Sequence, residues 1–114
     1  MLLIGICGGS GSGKTTLTKN LKQHFGSRKM DFISCDSYYK NNNHLTLEKR
    51  SKLNFDHPNL IDFELLNNDL NSLKNFKKVF VPNYSYITHK RLKTTKSLNP
   101  RSLIVLEGLH LSLI

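Results

Sequence analysis

Three scarcities bound what this 114-residue chain can be. No apolar run approaches 18 residues, which excludes a membrane-spanning helix, and Met1 to Cys7 lacks the basic start and cleavage site of a secretory signal. A cytoplasmic location is the expectation. Cysteine is confined to Cys7 and Cys35. Both fall at the ends of predicted strands; with a third strand between them they would stand about 9.6 Å apart, two strand spacings, beyond disulfide reach. Acids are few as well, eight against 17 Lys and Arg, for a net charge of +9. The excess is concentrated: residues 71–114 hold eight bases and one acid, and no acid lies between Lys74 and Arg101. Such a stretch can hold phosphates, but no base-reading motif accompanies it, so nucleic acid remains a minor hypothesis beside a solvated basic surface. Internal repeats and low-complexity segments are absent.

What the chain does have is glycine in one place. Residues 8–15 read Gly8-Gly9-Ser10-Gly11-Ser12-Gly13-Lys14-Thr15, a complete G-x-x-x-x-G-K-[ST] loop followed by Thr16. It follows the apolar run Leu2 to Cys7, which reads as a buried strand, and precedes a helical pattern in which Leu17, Leu21 and Phe25 recur and Gly26 marks the end. Strand, glycine loop and helix are the context this motif requires. The glycines allow successive amides to turn inward around a phosphate. Lys14 can reach the β- and γ-phosphates as a point charge, the helix start adds its positive dipole end, and the Thr15 hydroxyl can ligate Mg²⁺. By accident the fixed positions would match in a chain of this length in only about half a per cent of cases. A nucleoside triphosphate site is the inference.

Asp31 to Cys35 predicts a second strand ending at Asp36, which closes a right-handed βαβ unit over residues 2–35. Asn41 to His44 is a polar loop, Thr46 caps a short helix through Leu53, and Asn54 to Leu60 is expected to be extended. Asp62 is a good N-cap for a helix with Phe63, Leu66, Leu70 and Leu73 on one face. Val79 to Tyr84 and Thr94 to Leu98 can pair as a small antiparallel ribbon, Pro82 favouring an edge. Ser102 to Leu106 is the third clear strand and stops at Glu107-Gly108. Ligands gather at the carboxyl ends of strands in an open α/β sheet, and Gly8, Asp36 and Glu107 all fall there. A phosphate loop and two carboxylates at one edge make a coherent phosphoryl-transfer site.

These residues also resemble a known family. The glycine loop, Cys35-Asp36-Ser37-Tyr38-Tyr39-Lys40, Asn54-Phe55-Asp56-His57-Pro58, Pro82-Asn83-Tyr84 with His89, and Leu106-Glu107-Gly108 together are similar to the uridine kinase and phosphoribulokinase group. Order and approximate spacing agree over nearly the whole chain. The resemblance implies transfer of the γ-phosphate of ATP or GTP, with Mg²⁺, to the 5′-hydroxyl of uridine or cytidine in pyrimidine salvage. Asp36 would be the proton acceptor, Lys14 the catalytic cation, and Thr15 and Glu107 the metal ligands. Asp56 would accept hydrogen bonds from the ribose hydroxyls, Tyr84 and His89 would contact the pyrimidine edge, and Tyr38 and Phe55 would offer aromatic surface beside it. Ser85 stands where an acidic residue is common in the group.

Members of the group continue past the Glu-Gly strand with two more parallel strands, intervening helices and an arginine-bearing lid. The expected fold is therefore α/β, a P-loop NTPase-like parallel sheet with flanking helices, truncated after the third core strand. Residues 1–114 form a single partial kinase domain in that reading, the nucleotide-binding half without lid or later strands. The first strand would then be an exposed apolar edge, and homo-oligomers would await the full domain. Alternatives are a catalytically inert nucleotide-binding fragment and a kinase of the same group acting on another small acceptor.

Overall fold

The computed structural model describes residues 1–7, 14–26, 28–54, 57–85 and 87–108, with the backbone alone at Cys7, Lys14, Thr15 and Pro58. Strand β1 (Leu2–Cys7), helix α1 (Lys14–Phe25) and strand β2 (Met30–Ser34) come in the expected order. A 3-10 turn (Cys35–Tyr38), the short helix α2 (Leu47–Ser51) and a second 3-10 turn (Pro58–Leu60) lead to helix α3 (Phe63–Lys74). Strands β3 (Val79–Ser85), β4 (Lys90–Leu98) and β5 (Leu103–Gly108) complete the described chain. None of the described helices is long and apolar enough to cross a membrane.

Strands β1, β5 and β2 form a parallel sheet in that order, so the last of the described strands occupies the middle. The run Leu103-Ile104-Val105-Leu106 is apolar at every position, as a strand covered on both faces must be. Alternation divides it. Ile104 and Leu106 join Ile33 and the α3 leucines Leu66, Leu70 and Leu73, whereas Leu103 and Val105 join Ile6, Met30 and Leu21 of α1. Helices α1 and α3 thus cover opposite faces. β1 has β5 on one side and no strand on the other among the described residues, and Leu2 is 61% exposed. Cys7 pairs in register with Gly108 of the intervening strand, which keeps it two strand spacings from β2, and Cys35 is a buried thiol.

The α1 stripe is narrower than its spacing suggests: Leu21 packs on the core, but Leu17 and Phe25 are exposed. Residues four apart drift about 40° around a helix, and a three-stranded sheet covers only the centre of such a drifting line. α3 behaves as read, with the Asp62 carboxylate accepting from the Leu65 amide at 3.1 Å. Of the segment expected to be extended over residues 54–60, residues 57–60 instead close as a turn. There the Asn59 amide donates to His57 Nδ1 at 3.1 Å and the Leu60 amide to the His57 carbonyl at 3.2 Å. Pro58 suits its first position because its fixed φ is helical. β3 and β4 pair antiparallel as a separate ribbon with a register shift between Pro82 and Tyr84. β4 begins at Lys90, four residues before Thr94, and most of its residues face water. A solvated strand carries no hydrophobic alternation to announce its start.

Candidate active site

Strand register sets the site. Ser34 pairs with Glu107 and Cys7 with Gly108, so all three parallel strands end at one level. Helix α1 begins at that edge with Lys14 and Thr15, and Thr16 is exposed on its first turn. One turn on, Thr18 Oγ1 donates to Glu107 Oε2 at 3.3 Å. This contact ties the β5 carboxylate to the amino end of α1, where the helix dipole favours negative charge. Thr18 carried no expectation, although its position four residues after Lys14 on the same helix face signals it. Gly8, Gly9, Ser10, Gly11, Ser12, Gly13, Phe55 and Asp56, to which the sequence assigns phosphate or acceptor contacts, lie outside the described residues.

Asp36 sits half-buried on the 3-10 turn that leaves β2, its amide donating to Ser34 Oγ at 3.3 Å. The hydroxyl caps the turn and so fixes where the carboxylate begins. Tyr38, expected to offer aromatic surface to a ligand, is fully buried instead, and its hydroxyl donates to Asp69 Oδ2 of α3 at 2.7 Å. Burial, then the bond to Asp69, pushes the Tyr38 phenol far above its usual range. Burial also raises the Asp69 carboxyl, against the pull of that hydrogen bond. The ring is a core anchor that pins the Asp36 turn to α3. Its neighbour Tyr39 takes the other direction, packing against Tyr84 with ring centroids 5.0 Å apart.

Tyr84 is half-buried on β3. Desolvation raises its phenol, opposed by the positive charges of Arg50 and Arg91, so it is a neutral hydroxyl at physiological pH. His89 lies at the ribbon tip with φ of 51°. Asn43 pairs with the Arg91 main chain in both directions, and Arg91 Nη2 donates to the Tyr39 carbonyl at 2.7 Å. The ribbon bearing Tyr84 and His89 is thereby fastened to the segment that follows the Asp36 turn.

Between the ends of β2 and β5 and the ribbon opens a cleft of about 220 Å³, lined by Ser34, Ser37, Glu107, Asn83 and Lys96 over an apolar floor that includes Phe32. Glu107 therefore gives one oxygen to Thr18 and still fronts open space. No cluster of three or more His, Cys, Asp and Glu side chains comes together among the described residues. Glu107 is one carboxylate donor at this edge, and Mg²⁺, which keeps several waters, takes only one or two oxygens from protein. Most of the basic stretch is solvated: Lys74, Lys77 and Lys78 are exposed, as are Lys90, Lys93 and Lys96 of β4.

A parallel sheet whose carboxyl edge meets a helix entered from a G-x-x-x-x-G-K-T loop is the framework of a P-loop kinase. Residues 3–113 match the phosphoribulokinase/uridine kinase family model. The chain belongs to that family. A uridine kinase of Macrococcus caseolyticus is 45% identical over 107 residues, covering 94% of this chain and 52% of the relative. Two solved structures share the fold. A possible uridine kinase from Bacillus stearothermophilus superposes with a TM-score of 0.63 at 24% identity, covering 95% of this chain and 60% of that one. A D-glycerate 3-kinase from Cryptococcus neoformans gives 0.63 at 23% identity, covering 94% and 42%. The chain spans about half the length of the curated relatives it matches.

Proposed function

We propose that this chain is the nucleotide-binding half of a nucleoside kinase that transfers the γ-phosphate of ATP or GTP to the 5′-hydroxyl of uridine or cytidine. The reading rests above all on the register of β5, which holds the Asp36 turn and Glu107 at one edge beside the start of α1. Amides of Gly8 to Gly13 and the ammonium of Lys14 hold the triphosphate. Thr15 and Glu107 hold Mg²⁺, which when bound neutralises charge on the β- and γ-phosphates. A primary alcohol is a weak nucleophile. Asp36 orients the 5′-hydroxyl and accepts its proton as the oxygen attacks phosphorus in line, and the nucleoside diphosphate leaves without a covalent enzyme intermediate. Asp56 receives the ribose hydroxyls, a contact that disfavours deoxyribosides because losing one hydroxyl would leave the carboxylate short of a hydrogen-bond partner in the complex. Tyr84, backed by Tyr39 and joined by Phe55, meets the base with His89; Tyr38 is withdrawn from this role by its burial.

Turnover of uridine and Mg·ATP to uridine monophosphate tests the proposal. Lys14→Ala should lower it on the order of 10²-fold, and Asp36→Asn by roughly 10² to 10⁴-fold. Variants as active as the parent would remove the mechanism. A second reading is nucleotide binding without turnover, which calorimetry with Mg·ATP and an absence of monophosphate would identify.

A further inference from the structure

Arg50 lies in the last turn of a short polar helix, a place where a solvated cation is the ordinary outcome, yet it is only 5% exposed. The ion pairs among the described residues, Lys52 with Glu48 and Arg91 with Asp62, do not include it. Its guanidinium donates instead to main-chain carbonyls, Nε to Thr88 at 3.1 Å and Nη1 to Leu45. A buried cation is costly unless the bonds it makes are kept, so the two carbonyl contacts join the α2 segment firmly to the ribbon tip. A planar fork can reach two carbonyls at once in fixed geometry, which a lysine cannot.

The carbonyl of Thr88 belongs to the peptide unit that carries the His89 amide. His89 itself adopts φ of 51°, a left-handed conformation that few residues with side chains take without support. On its other side the Arg91 main chain is gripped by Asn43, which accepts from the Arg91 amide at 3.1 Å and donates to its carbonyl at 2.9 Å. The tip is thus bracketed on both flanks of the histidine by residues 43–50.

We propose that Arg50 is a positioning residue for acceptor recognition: by fixing the peptide unit before His89 it holds the imidazole in its left-handed setting and makes the ribbon tip one rigid wall with the α2 segment. The inference rests on the reading in which His89 contacts the acceptor base.

The test uses the full chain with Arg50→Met and Arg50→Lys. Amide hydrogen exchange is read at Thr88 and Arg91, whose N–H groups donate to Ser85 Oγ at 3.2 Å and Asn43 Oδ1 at 3.1 Å, with β5 amides as the internal reference. Uridine affinity is measured beside Mg·ATP affinity. Arg50→Met should accelerate tip exchange about tenfold and weaken uridine about tenfold while β5 exchange and nucleotide affinity hold within about twofold. Arg50→Lys, able to keep one bond, should fall between. Unchanged tip exchange, or equal acceleration in β5 and the tip in both variants, overturns the inference. Should Arg50→Met not fold, selective loosening in Arg50→Lys decides. Failure of the parent to bind uridine would sink the acceptor reading, and the exchange comparison would still judge the clamp.

Discussion

Gly108 ends the central strand where it passes the first residue of the Asp36 turn, and a methyl group there has nowhere to go. A Cβ at position 108 would stand 2.7 Å from Cys35 Cβ and 2.9 Å from its Sγ, whereas unstrained carbon contacts begin near about 3.5 Å. Cys35 is 2% exposed, and its Cβ is fixed to the backbone, so relief requires the turn and the strand to part by nearly an ångström. Overpacking of this kind costs about 1–3 kcal/mol, which lowers Tm by roughly 4 °C per kcal/mol in a chain of this length. Urea and thermal unfolding of Gly108→Ala measure the loss directly. Cys35→Gly removes both opposing atoms, so the double variant should recover at least about 1 kcal/mol of the summed single losses as a coupling energy. If Gly108→Ala melts within about 0.5 kcal/mol of the parent, or the two substitutions prove additive, the tight approach of β5 to the turn is wrong.

Two further outcomes follow from α3. A carboxyl raised on folding adds stability below the ordinary carboxylate range and loses it as pH climbs through the folded pKa, which is the case of buried Asp69. Asp69→Asn keeps an acceptor oxygen for Tyr38 and removes the charge, so its stability relative to the parent should be more favourable at pH 7 than at pH 3 in urea melts; an equal difference at both contradicts the assignment. Asp62→Ala deletes the cap on the Leu65 amide and the carboxylate 3.8 Å from Arg91, and should cost about 1 kcal/mol. A melt indistinguishable from the parent's would show that the cap contributes nothing.

Strands β1, β2 and β5 could be read from the sequence because each is an apolar run stopped by glycine or by a polar residue. The same holds for α3, whose cap and leucine spacing agree. Their convergence at one edge followed from strand ends alone. The two adjacent tyrosines could not be told apart in this way. Both are buried, but Tyr38 is claimed by Asp69, 31 residues away on α3, and Tyr39 by Tyr84 on β3, partners that no local pattern names. The burial of Arg50 was hidden for a similar reason. Its partners are carbonyls, which every residue carries and no sequence advertises. Of β4 only Lys90 to Lys93 escaped, because these mostly solvated residues alternate nothing.

The middle position of β5 also dictates when the sheet can exist. Leu2 and Met30 both pair with Leu103, and the flanking strands do not pair with each other, so the β1–β5–β2 ladder has no rungs until β5 has been made. During synthesis β1 and β2 wait as two sticky ribbons with open backbone groups, separated from their shared partner by a long chain closure. Pairing of these three strands therefore follows the synthesis of β5 and cannot begin earlier.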